Sequence, residues 1–398
     1  MLDIIRDRNP LLVKAAVELH QSGEIPPNTY VVDLDRVREN AKQVKERADR
    51  LGLRIYVMTK QWNRNPSISK AVAEEGLDEF VAVDIEGARD LHRSGFKIGH
   101  VGHLVQVPAI HTEEVLKMKP EVWTVYGYDN AETVSEAAQR LGVEQDLLLK
   151  VVGPEDLAFI AQEGGIPLDE VVEVGRRING LPAVRVVGTT GFPCLAFDFE
   201  SLKVEPLPNM SSIVVAARRL EEDLGVAMMQ VNSPGTSSCS SMELVSECGG
   251  TDIEPGSSLW GMAPQQLFGD DVGTPAQVYV TEVSHYDGDR ACVLGGGFYT
   301  DGRGEQWEIK EAFVGRSADA ILDHRVRAEL PPPNRIDYYT WIYPEARESV
   351  KTGDTAIYFF RPQVFNTRSA NIATVSGISK DSPKVEAVYD KANRLSSG

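Results

Sequence analysis

The sequence predicts an α/β protein: a (β/α)8 TIM barrel followed by a β-rich C-terminal domain. Three observations carry that prediction. From Thr29 to about Pro264, short β-branched apolar runs alternate with amphipathic helical stretches, the pattern of parallel strands joined by crossover helices. Near Gln265 the alternation stops, and apolar runs separated by Asp-Gly and Gly-Asp turns follow, as in antiparallel sheet. The length of 398 residues exceeds the roughly 250–300 at which one hydrophobic core stops growing, so two domains are expected.

Eight runs qualify as barrel strands, at 30–34, 54–58, 80–83, 97–101, 122–126, 147–152, 184–188 and 228–231. Helical patterns at 35–48, 85–94, 130–141, 168–178 and 211–224 lie between them. Eight repeats in about 235 residues match a barrel in count and length. The barrel is assigned to 28–266 and the β-rich domain to 267–398, with the helical stretch 1–27 expected to pack on the latter. Strands of the second domain are expected at 277–283, 291–294, 356–360 and 371–375.

Fifty-nine acidic against 41 basic residues give a net charge of −18, which disfavours nucleic acid and anionic membranes as partners. The N-terminus mixes charges into a helical pattern without a long apolar core, and no run approaches 18 apolar residues, so neither export nor membrane insertion is expected. Cys194, Cys239, Cys248 and Cys292 stand far apart with no C-x-x-C pair, which reads as reduced thiols in the cytoplasm.

Active sites of such barrels form at the C-terminal ends of the strands, so polar residues there are the candidates. Lys60 ends the second run, where a partly desolvated amine favours its neutral, nucleophilic form. Ser233, Gly235, Thr236 and Ser237 follow the eighth run, in Val231-Asn232-Ser233-Pro234-Gly235-Thr236-Ser237, and small residues of this kind let backbone N–H groups approach a phosphate. Glu254, Gly256 and Ser257 stand in Asp252-Ile253-Glu254-Pro255-Gly256-Ser257, an acid beside a glycine that permits close backbone approach. An amine, a phosphate cradle and a carboxylate on one rim suit a phosphorylated aldehyde bound as a Schiff base, with the carboxylate holding a ring nitrogen protonated.

These residues resemble the fold-type III pyridoxal-phosphate enzymes, the group of alanine racemase, ornithine decarboxylase and the D-threonine aldolase and D-serine dehydratase branch. Within it the pattern is most similar to the YhfX-like set of amino-acid racemases. The stretch from Tyr30 to Asn40 looks like the family's "E-I-D-L-D-x-L-x-x-N", and 80–88 like its "G-F-A-V-x-S-x-x-E-A". The resemblance implies pyridoxal 5'-phosphate on Lys60 and an amino-acid substrate. Glu254-Pro255-Gly256 is similar to the "E-P-G-R" of the decarboxylases, whose glutamate meets the pyridine nitrogen, whereas alanine racemases have arginine there. A glutamate favours a protonated ring and a stabilised carbanion. Tyr299, in Gly297-Phe298-Tyr299-Thr300-Asp301-Gly302, looks like the family's "V-G-Y-x-D-G" tyrosine. That likeness implies an opposite-face base supplied to the partner subunit's site, hence a head-to-tail homodimer. Lys150 matches the strand-six lysine near the cofactor, and His103 is a candidate to stack on or bond the ring. Trp62 and Trp260 are candidates for the pocket wall.

The expected function is therefore a pyridoxal-phosphate-dependent amino-acid racemase. A metal-assisted aldolase or dehydratase would add a metal site in the β-rich domain, but His285 and His324 there have no neighbouring Cys or His at ligand spacing, so no metal is expected. A decarboxylase would need a "C-D-G" pair, and Cys292 precedes Val293-Leu294 instead. A non-enzymatic cofactor carrier would need the barrel alone.

Overall fold

In the computed structural model, residues 1–225, 227–298, 305–332, 334–365 and 367–396 are described. The apolar runs form a parallel sheet with strands in chain order: 54–58, Glu79–Ala82, Lys97–Val101, Val122–Val125, Gln145–Val152, Val184–Thr190, Gln230–Asn232 and Asp252–Ile253. The sheet path begins at Arg54–Ile55 and ends at Val57–Met58, with Tyr56 alone between them. One strand therefore closes the barrel. Its first half pairs with Asp252–Ile253 and its second half with Glu79–Ala82. The backbone N–H groups of Tyr56 and Met58 donate to the carbonyls of Ile253 and Pro255 at 3.0 and 2.9 Å. Tyr56, Met58, Val81, Val122, Leu148 and Val187 fill part of the interior, as the packed core of such a barrel requires.

Two strand assignments change. Thr29–Asp33 is a strand, but it lies in the sheet of the other domain, parallel to Asn371–Ser376 and antiparallel to Gln277–Asp287. All five of its residues are buried, and a strand covered on both faces has the same continuous apolar pattern whether it sits in a barrel or a central sheet. Asp33 then starts the helix Leu34–Leu51 by accepting from the N–H groups of Asp35 and Arg36, the usual N-cap role of an aspartate. The eighth barrel strand is the two-residue Asp252–Ile253, too short to show a period.

In the second domain, six antiparallel strands form a closed ring: Gln277–Asp287, Arg290–Leu294, Tyr339–Tyr343, Arg325–Glu329, Glu311–Gly315 and Thr355–Tyr358. Thr29–Asp33, Asn371–Ser376 and Lys384–Tyr389 extend the sheet from Gln277–Asp287. The helices Leu2–Arg8 and Pro10–Gln21 pack on this domain. His20 Nδ1 lies 2.7 Å from Thr355 Oγ1, and Gln21 Nε2 donates to the Gly353 carbonyl.

Beyond Thr355–Tyr358, the chain passes Arg361 and Gln363 along the barrel rim. There the N–H of Phe365 donates to the Lys60 carbonyl at 2.8 Å. The second domain thus holds the backbone of Lys60. Among the described residues, no helix is long and apolar enough to cross a membrane.

Candidate active site

Every barrel strand is parallel, so the C-terminal strand ends gather on one rim. Lys60 leaves strand 54–58 in the 3-10 turn Lys60–Trp62. Glu254 leaves the neighbouring Asp252–Ile253, and residues 233–237 leave the next strand, Gln230–Asn232. A cavity of about 580 Å³ opens there, and Lys60, Gly235, Thr236, Ser237, Glu254, Gly256 and Ser257 all line it.

The carboxylate is the most constrained group in this cavity. Its side chain is 1% exposed. Oε1 accepts from Asn232 Nδ2 at 2.8 Å and from His100 Nδ1 at 2.7 Å, while His100 Nε2 pairs with the Thr124 hydroxyl at 2.6 Å. Oε2 has no hydrogen-bond partner, and His103 Nε2 stands 3.7 Å away. Burial opposes the charge on Glu254. The adjacent His103 and His100, with the bonds from His100 and Asn232, outweigh that cost and hold the carboxyl well below the usual carboxylate range. A buried acceptor with one oxygen committed and the other free is prepared for a donor from the cavity.

His103 is fully buried with neither ring nitrogen hydrogen-bonded. Burial pushes it down to about 3 against the pull of Glu254. The ring meets Phe192 edge-on with centroids 5.7 Å apart, and it is not part of the cavity lining. His100, His103 and Glu254 are also the one trio, among the described residues, whose ligand atoms could meet at a metal ion, all within 4.8 Å of one another. The trio lies inside the barrel, not in the β-rich domain.

The turn after Gln230–Asn232 suits an anion. Gly235 has φ of +124°, where a Cβ would stand 3.1 Å from the Leu195 carbonyl oxygen, so a side chain would be strained there. Thr236 follows at φ +47° and donates its hydroxyl to Leu195 O. The Ser237 hydroxyl is buried without a partner. At Gly256, a Cβ would come within 2.7 Å of Gln61 Oε1, itself an unpartnered buried acceptor.

Besides His103, four expected residues lie outside the cavity lining: Ser233, Lys150, Trp62 and Trp260. Ser233 is buried with its hydroxyl turned to the Val231 carbonyl, outside the lining. Lys150 is 2% exposed, and its ammonium donates to Tyr126 Oη and the Gln162 carbonyl, each at 3.1 Å. Burial pushes that ammonium down to about 8. Tyr299 lies outside the described residues. Trp62 and Trp260 pack on each other, centroids 5.9 Å apart, and do not reach the cavity.

Three polar partners were not anticipated: His100, Asn232 and Thr124. His100 sits in the apolar run Lys97-Ile98-Gly99-His100-Val101. The ladder with the preceding strand slips there, Phe80 facing Ile98 but Val81 facing His100. Gly99 is thus an extra residue, as in a bulge, and re-aims the next side chain inward. The aromatic part of the wall, from Phe159, Phe192, Phe197, Phe199 and Trp307, was also missed. Phe197 and Phe199 come from a hairpin, Leu195–Asp198 with Lys203–Pro206, inserted before the next barrel helix.

Two predictions follow from this geometry. Removing His100 leaves Glu254 buried with one donor fewer, so His100→Ala should lower stability by about 3–5 kcal/mol in urea unfolding. His100→Gln, which keeps a donor, should recover much of it; equal losses would discount the bond. For Lys150, the unfolded chain keeps a proton that the folded protein has lost between about 8 and the ordinary 10.5. Stability should therefore rise with pH across that window, and in Lys150→Met the rise should shrink, as measured by thermal unfolding against pH.

Comparison with known proteins agrees with this architecture. Residues 32–264 match the family model described as alanine racemase, N-terminal domain, and residues 278–385 match the YhfX-like C-terminal domain. The YhfX protein of Escherichia coli K12 is 34% identical over 400 residues, covering 98% of this chain and 97% of that one. The crystal structure of D-threonine aldolase from Filomicrobium marinum is similar in fold, with TM-score 0.65 at 15% identity over 93% of this chain and 96% of that one. Alanine racemase of Clostridium difficile 630 in complex with cycloserine gives TM-score 0.66 at 16% identity, over 92% and 99%. The chain belongs to the alanine racemase-like family of fold-type III pyridoxal-phosphate enzymes, in its YhfX-like branch.

Proposed function

We propose that this protein is a pyridoxal-phosphate-dependent amino-acid racemase that works as a head-to-tail homodimer in the cytoplasm. The observation that carries the reading is the Glu254 carboxylate, buried and charged, with Oε2 unpartnered on the same cavity as Lys60. That oxygen suits the N–H of a protonated pyridine ring. The turn at Gly235, Thr236 and Ser237, with Gly256 and Ser257 across the cavity, suits the phosphate. Lys60 suits the aldehyde carbon. When bound, the cofactor supplies the electron sink that makes an α-hydrogen acidic.

The rest belongs to the chain's own side chains. Lys60 Nζ, once released, takes or returns the α-proton on one face. His100 and Asn232 keep Glu254 ionised and fixed, so the ring-nitrogen proton stays in place during turnover. Arg361 is the second cation of the described lining and suits the substrate carboxylate. Tyr299 of the partner subunit serves as the base on the other face. The cysteines are all free, in keeping with a reducing compartment.

Protein reconstituted with pyridoxal phosphate should be coloured. After borohydride reduction, the added mass should map to the peptide containing Lys60, and Lys60→Ala should show neither; a colourless wild-type protein overturns the reading. In heavy water the wild type should exchange the α-hydrogen of both enantiomers. Tyr299→Phe should keep the bound cofactor and lose exchange with one enantiomer by about 10²–10⁴-fold. Unchanged exchange removes Tyr299 from the reaction, and aldehyde release from β-hydroxy amino acids without racemisation would favour an aldolase.

A further inference from the structure

Part of the cavity wall is aromatic and comes from four places in the chain. The loop after Gln145–Val152 contributes Phe159, the segment after Val184–Thr190 contributes Phe192, and the inserted hairpin contributes Phe197 and Phe199. Trp307 arrives from the β-rich domain. These rings meet edge-on: Phe159 and Phe192 at 5.7 Å, Phe197 and Phe199 at 5.1 Å, and Phe199 and Trp307 at 6.1 Å.

Two of the rings keep substantial contact with water, Phe159 at 37% and Phe199 at 41% exposed. Aromatic surface left wet inside a concave site that also carries a few polar groups is the usual form of a pocket for a partly apolar ligand. The charged side chains of the described lining are Lys60, Glu254 and Arg361. Glu254 is enclosed by His100 and Asn232, and the Arg361 guanidinium stands 5.3 Å from the Trp307 ring centroid. Away from Arg361, a charged or amide side chain directed at Phe159, Phe192, Phe197 and Phe199 would lose its water among apolar rings.

We propose that the substrate is an amino acid with a large apolar side chain, aromatic or branched aliphatic, seated against Phe159, Phe192, Phe197, Phe199 and Trp307. This rests on the racemase reading for the reaction, while the wall itself is independent of it. A methyl or hydroxymethyl side chain would leave the wall hydrated. Hydrophobic pockets discriminate by about 10–200-fold for each methylene they fill, so several missing carbons give a strong preference.

The test uses holoprotein and two readouts. In α-hydrogen exchange, phenylalanine and leucine should exceed alanine, serine, lysine and glutamate by at least about 100-fold in kcat/KM. In calorimetry, 3-phenylpropanoate, which has no amine to react, should bind at least about tenfold more tightly than propanoate. Phe159→Ala and Phe199→Ala, both at partly exposed positions that leave the core intact, should each lower the phenylalanine-to-alanine ratio and weaken 3-phenylpropanoate binding by about tenfold. Faster turnover of alanine, serine or a charged amino acid, with equal binding of the two acids, overturns the proposal and leaves the racemase reading standing. Selective 3-phenylpropanoate binding with no exchange of any amino acid supports the apolar pocket and overturns the racemase reading instead.

Discussion

The site depends on barrel closure. Strand 54–58 hydrogen-bonds on one side to the strand after it and on the other to Asp252–Ile253, the last barrel strand of the chain. Only that second pairing brings the Lys60 amine beside the Glu254 carboxylate, because the two are far apart in sequence and adjacent in the ring. A closed parallel barrel has no edges, and its strands leave at one rim. Closure therefore fixes the separation and direction of the two groups together.

Closure also supplies the low-dielectric interior in which Glu254 is held. The carboxylate stays charged because donors reach it from two other strands: His100 from Lys97–Val101 and Asn232 from Gln230–Asn232. Thr124, on Val122–Val125, braces the far side of His100. Four strands contribute one group each to a network that none could build alone. With partial satisfaction, such a network would cost more than an apolar core; here one acceptor, Glu254 Oε2, is left without a protein partner. The polar network fixes charge, while the aromatic wall beside it leaves Phe159 and Phe199 partly exposed.

Much of this was legible in the sequence, and what was missed has physical causes. Seven of the eight barrel strands are long enough to show β-branched runs, and the site loops stand where barrel geometry puts chemistry. The run 30–34 reads as a barrel strand because burial on both faces erases the alternation that tells sheets apart. The bulge at Gly99 defeated the reading of His100, since a strict two-residue period would have kept it on the face of Ile98. Arg325–Glu329 does alternate exposed and buried residues, so a closer count of period two would have found it. The aromatic hairpin was hidden in what read as a connection between a strand and a helix. Whether Lys150 and Ser233 reach a ligand depended on hydroxyl and ammonium partners that only three-dimensional neighbours supply.

The strand Thr29–Asp33 has a bearing on how the molecule is made. It is synthesised well before its partners, Gln277–Asp287 and Asn371–Ser376. Growing chains acquire structure from the N-terminal end, so the barrel can close while this strand still waits with both edges bare. Exposed edges invite pairing with other chains, which makes the interval between barrel closure and release from the ribosome the hazardous period for this protein. The two domains are thus tied by topology, and neither is a module that recombination could exchange without leaving a gap in the other's sheet.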